Sequence, residues 1–169
     1  MFRPRLIAIV GMCVIAGCDH DAPNAALPDP PIQIPRSEPL RVRVTGRDFK
    51  WHLRYPGPDR RLDTADDVFA QRHLHLPMNA DIELELRSAD FVYSLYLPDY
   101  ELVEMAFPGR PYVVEFTTWS EGTSRLLGSQ MCGFTHEQLL GDLVVQTPAD
   151  FRRWSGQQSH TARSTVSPR

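Results

Sequence analysis

Short runs of alternating apolar and polar residues, each stopped by proline or glycine, limit this chain more than any other feature. Leu40, Val42 and Val44 fall on one side of a run whose other side carries Arg41, Arg43 and Thr45. A repeat of two marks a strand with one buried face. The pattern returns over residues 49–55, which end at Pro56-Gly57-Pro58, and over 81–87, where Ile82, Leu84 and Leu86 share a side. Residues 91–97 form a short apolar run, 112–117 alternate, and 143–145 read as a late strand. Turn signals such as Pro108-Gly109 and Glu121-Gly122 separate them. Several short strands at this spacing predict an all-β, antiparallel sandwich. After Pro148, residues 149–154 predict a short closing helix, and residues 155–169 read as a polar, disordered tail.

The 169 residues fit one domain plus tails. Net charge is −3 and the basic residues are scattered, so no nucleic-acid footprint is present. Arg3 and Arg5 precede a short apolar run, residues 6–16, that falls short of the ~20 residues needed to span a bilayer. With Val14-Ile15-Ala16-Gly17-Cys18 at its end, residues 1–17 read as an export signal and Cys18 as the lipid-modified cysteine of a bacterial lipoprotein. The lipid would anchor the chain to the cell membrane, with the domain facing the periplasm or the outside. Residues 18–39 are rich in proline and read as a disordered, extended spacer, able to reach roughly 60 Å.

Chemistry concentrates in residues 128–136, Gly-Ser-Gln-Met-Cys-Gly-Phe-Thr-His. Cys132 and His136, four apart on one loop, can close on one soft or borderline metal ion such as copper or zinc. A lone cysteine equally packs as a small hydrophobe, with the histidine hydrogen-bonded nearby. Four aspartates between Asp59 and Asp67 lack calcium-loop spacing and read as a solvated turn. No hydrolase triad, phosphate loop or zinc-hydrolase motif appears, so the chain does not read as an enzyme by itself. His52, His73, His75 and His160 read as surface or strand residues.

From about Val42 to Trp154 the chain resembles the copper domain of cytochrome c oxidase subunit II. The similarity rests on five motifs in order: residues 46–56, ending Tyr55-Pro56; Leu74-His75-Leu76-Pro77; Ser88-Ala89-Asp90 with Ser94 and Pro98; Phe107-Pro108-Gly109-Arg110; and Gly122 followed by Cys132-Gly133-Phe134-Thr135-His136. The resemblance implies a cupredoxin-like Greek-key β-sandwich over residues 40–154. It also implies a metal centre that this chain departs from. The family's two bridged coppers take two cysteines, two histidines, a methionine and a glutamate carbonyl; here only Cys132 and His136 match. Tyr93 stands for the first histidine, Gly128 for the first cysteine, Gln130 for the glutamate and Leu139 for the methionine. Phe49 stands for the tryptophan that takes up electrons, with Trp51 kept, and Met105 for an aspartate near a magnesium site.

Two bridged coppers need two thiolates, so the dinuclear centre is expected to be absent. Quinol-oxidising relatives likewise keep the fold without it. The resemblance then implies an accessory or structural component of a respiratory haem-copper oxidase, with oxidase subunits or assembly factors as partners. The other reading is a mononuclear electron-transfer or copper-carrier protein, in which one copper ion is held by Cys132 and His136, completed by Gln130, Met131 or Tyr93.

Overall fold

A computed structural model describes residues 38–130 and 136–164, with side chains as far as residue 158. Among the described residues the strands are β1 (Leu40–Arg47), β2 (Lys50–Tyr55), β3 (Val68–Gln71), β4 (Leu74–Pro77), β5 (Asp81–Ser88), β6 (Tyr93–Leu97), β7 (Leu102–Ala106), β8 (Tyr112–Thr117), β9 (Gly122–Gln130) and β10 (Gly141–Gln146); the helix α1 is Pro148–Ser164. One five-stranded sheet has the order β3-β2-β1-β5-β8 and the other β4-β10-β9-β6-β7. The chain forms the expected β-sandwich with a C-terminal helix.

It is not purely antiparallel, however. β1 runs parallel to β5, and β4 parallel to β10. After the β1–β2 hairpin the chain passes through β3, then contributes β4 to the other sheet before returning as β5. Parallel neighbours require such a crossover.

Alternation fills the interior. Val42, Val44, Trp51, Leu53, Tyr55, Ile82, Leu84 and Leu86 come from the first sheet, and Leu74, Leu76, Tyr93, Leu95, Leu97, Leu126, Leu143 and Val145 from the second. Each large apolar side chain removed from water contributes about 1.5–3 kcal/mol. Gly46, on β1, is required by this packing: a Cβ there would overlap the Tyr93 ring.

The connection before β9 ends at the expected Glu121-Gly122 signal, but β9 corrects the expectation of a loop beginning at Gly128. Gly122–Gln130 is a nine-residue strand, paired with β10 on one side and β6 on the other. Its alternation is hard to see because Ser124 and Gly128 share the inward face with Leu126.

The helix also runs further than residues 149–154, through part of the stretch expected as disordered tail. Thr147 starts it: its hydroxyl accepts from the Asp150 amide at 3.2 Å and donates to the Asp150 carboxylate at 2.7 Å. Asp150 also suits the positive end of the helix dipole. No proline follows until Pro168, so nothing in the local sequence stops propagation. The first turns dock through aromatic rings. Trp154 meets Tyr55 edge-on at 5.0 Å and stacks on His75 at 4.2 Å. The buried Tyr55 hydroxyl accepts from the His75 amide at 2.9 Å.

Burial holds the imidazoles of His75 and His52 below their ordinary value. A base with a depressed folded pKa contributes stability above the unfolded value, near 6.5, and loses it as pH falls. Unfolding midpoints in denaturant should therefore drop between about pH 7 and pH 5, with a shallower slope in His75→Gln. An equal slope in wild type and variant would contradict this.

Candidate functional site

Of the expected metal residues, those the structure describes fall at one end of the sandwich. Tyr93 opens β6 and Gln130 closes β9, and the two are register partners. His136 follows, and its ring stacks on Phe49 with centroids 4.0 Å apart. Phe49 in turn lies 6.5 Å from the Tyr93 ring, edge-on. The structure thus gathers Tyr93, Gln130 and His136. Met131, Cys132 and Cys18 lie outside the described residues, as do the signal segment and nearly all of the spacer.

Phe49 is placed by an unusual hairpin. β1 and β2 are joined by Asp48 and Phe49 alone, with φ of 51° and 58°. Left-handed backbone at both positions gives the twist that a two-residue hairpin needs, and it is costly for a phenylalanine. Asp90 and Tyr93 hold it. The Asp48 amide donates to Asp90 Oδ2 at 2.7 Å, and the Phe49 amide donates to the Tyr93 hydroxyl at 3.2 Å. Tyr93 itself donates to Asp90 Oδ1 at 2.8 Å. The Ser88-Ala89-Asp90 motif is therefore a clamp on the β1–β2 turn.

This wiring decides what Tyr93 can do. The side chain is buried, and burial together with the neighbouring Asp90 carboxylate pushes its phenol up to about 12. Metal ligation by tyrosine needs the phenolate, which this setting disfavours. Burial alone would raise Asp90, yet the Asp48 amide and the Tyr93 hydroxyl hold it below the ordinary carboxylate value.

Gly128 is more restrictive still. It is buried on β9 opposite Leu95. A Cβ added there would sit 2.6 Å from Trp51 Nε1 and 2.8 Å from the Leu139 carbonyl oxygen. Those two atoms form a buried hydrogen bond of 3.1 Å, indole to carbonyl. A hydrogen bond thus lies against the position of the resemblance's first bridging thiol. Leu139, at the methionine position, is wholly buried in the core and offers no donor atom. Among the described residues, Tyr93, Gly128 and Leu139 stand at positions where the resemblance would place three of the copper ligands, and Gly128 and Leu139 offer no side-chain donor. The described residues also hold no group of three or more His, Cys, Asp or Glu side chains that could bind a metal. Trp51 as the plug on Gly128 was not visible in the sequence, because nothing in strand alternation says which inward ring meets which glycine.

Elsewhere the other candidates have structural partners. His73 Nδ1 lies 3.0 Å from Asp142 Oδ2. His75 Nδ1 is 3.3 Å from Gln146 Oε1, beneath Trp154. In the aspartate loop Asp63 faces guanidiniums from Arg43 and Arg54, and the Arg43 hydrogen bond chiefly holds it down to about 2. Two arginines thus lie where a calcium ion would need its charge balanced.

Comparison with known proteins agrees with the fold. No family model matches the chain. Cytochrome c oxidase subunit 2 of Thermostichus vulcanus is 30% identical over 129 residues, covering 76% of this chain and 36% of that protein. Alternative cytochrome c oxidase subunit 2 of Bradyrhizobium diazoefficiens is 26% identical over 144 residues, covering 72% of this chain and 52% of that protein. The chain thus spans about a third to a half of these relatives. Among solved structures, the periplasmic domain of subunit II of cytochrome oxidase (CoxB) of Bradyrhizobium japonicum superposes with a TM-score of 0.61 at 20% identity, covering 72% of this chain and 94% of that domain. The sandwich and its motifs make this a cytochrome c oxidase subunit 2-like cupredoxin domain.

Proposed function

We propose that this domain serves a respiratory haem-copper oxidase as an accessory or structural component that has lost the dinuclear copper centre. The observation that carries this reading is the hydrogen bond between Trp51 and Leu139 packed against Gly128. A bridging thiol at that position needs space that an indole and a carbonyl already fill. The relatives named as oxidase subunits support an oxidase as the partner. The aromatic end built from Phe49, Phe91 and His136 would then be a contact surface rather than a copper cradle. Cys18, lipid-modified, would tether the chain to the cell membrane, with the domain on the periplasmic or outer side.

A second reading rests on His136, whose exposed ring is held at the surface by Phe49. With the Cys132 thiolate it would take up one copper ion, as a carrier does, since soft thiolate ligands suit Cu(I).

Three measurements separate these readings. Purified in mild detergent, the full chain should bring haem-copper oxidase subunits with it; recovery of free monomer alone would argue against the accessory role. Gly128→Cys should lower stability by about 1–3 kcal/mol through overpacking, read from denaturant midpoints, and still show no dinuclear copper spectrum after loading. An equally stable variant binding two coppers would end the main reading. Metal analysis after copper loading should find no stoichiometric ion in wild type. One ion per chain, lost in Cys132→Ser, would establish the carrier instead.

A further inference from the structure

The outer face of the first sheet carries a cleft of about 440 Å³ that reaches the β1–β2 hairpin at one end. β1 directs Arg43, Thr45 and Arg47 outward because Val42, Val44 and Gly46 face the core. β2 adds His52 and Arg54, and β5 adds Arg87. The register sets Thr45 opposite His52 on one side and Arg87 on the other. Neighbouring strands lie about 4.8 Å apart, and same-face residues of one strand about 6.6 Å. Thr45 is thus the centre of a cross whose arms are Arg43, Arg47, His52 and Arg87.

The arms differ in how far they are already engaged. Arg43 hydrogen-bonds both Asp63 and Glu85. Arg54 pairs with Asp63 and lies 4.9 Å over the Phe69 ring. Arg87 shares Glu85 with Arg43. These carboxylates balance the Arg43 end. Towards Arg47 the paired acid is Asp48, 3.7 Å away with its side chain 79% exposed. No carboxylate lines the cleft itself.

We propose that the cleft binds a phosphate-class oxyanion at its Arg47–Thr45–Arg87 end. A tetrahedral oxyanion presents acceptors to two guanidiniums and a hydroxyl at once, whereas a carboxylate has only two coplanar oxygens. Free phosphate and a phospholipid headgroup share this chemistry. His52 is the natural reporter. Its Nε2 is enclosed without a hydrogen-bond partner, and Nδ1 lies 3.4 Å from the Gln71 amide on β3. The charged groups acting on it are Arg47, Asp48 and Lys50 of the hairpin; Arg87 lies beyond Thr45 on β5. A bound oxyanion opposes the effect of Arg47 and raises the His52 pKa.

The test is a titration of the full chain, in a Cys18→Ser background, with inorganic phosphate at constant ionic strength, followed by imidazole NMR. His52 signals should shift saturably and its pKa should rise, while His75, under Trp154, should not respond. Arg47→Gln and Arg87→Gln should each weaken binding about tenfold. Arg47 is exposed, so its variant reads binding rather than folding. Sedimentation with phosphatidylglycerol but not phosphatidylcholine vesicles, weakened by Arg47→Gln, would assign the headgroup as the source; saturation by phosphate without vesicle preference would assign the free ion. The proposal is overturned if phosphate and vesicles both leave His52 unshifted, if His52 and His75 move alike, or if both variants bind as wild type does.

Discussion

A single buried hydrogen bond, from the Trp51 indole to the Leu139 carbonyl, organises the end of the sandwich where chemistry would be expected. It joins β2 in one sheet to the turn before β10 in the other, so it ties the two layers together. It also requires a glycine at 128, because both of its atoms lie against that backbone. Removing one partner would leave the other buried and unpaired, at a cost of about 1–3 kcal/mol. Structural cohesion and the shape of the site are therefore the same interaction here, and neither can be changed without the other.

Around that bond the polar groups serve the backbone. Asp90 receives the Asp48 amide and the Tyr93 hydroxyl, and Tyr93 receives the Phe49 amide. Each acceptor holds a piece of the β1–β2 turn whose left-handed phenylalanine would otherwise be unfavourable. Tyr93, one of the possible ligands by residue type, is in three dimensions part of a device for keeping a strained hairpin closed. His136 remains at its edge, resting on the ring that this hairpin presents.

Much of this was legible beforehand, and the reason is physical. Strands such as β1 and β5 place every second residue in the core, so Val42, Val44, Leu84 and Leu86 announce them. β9 was hidden because its inward face includes Ser124 and Gly128, and a central strand with small inward residues has no alternation to read. The far part of α1 was missed because a capped helix continues through polar residues without any apolar stripe to mark it. At the site, the contact that closes Gly128 was not readable. It depends on Trp51 and Leu139, 88 residues apart, meeting across the interior.

The packing of Gly46 against Tyr93 also limits which substitutions either position tolerates. The present Tyr93 ring and a side chain at 46 compete for the same space, so a larger residue at 46 requires the ring to move or be replaced. Enlarging 46 is closed to neutral drift for as long as the ring stays.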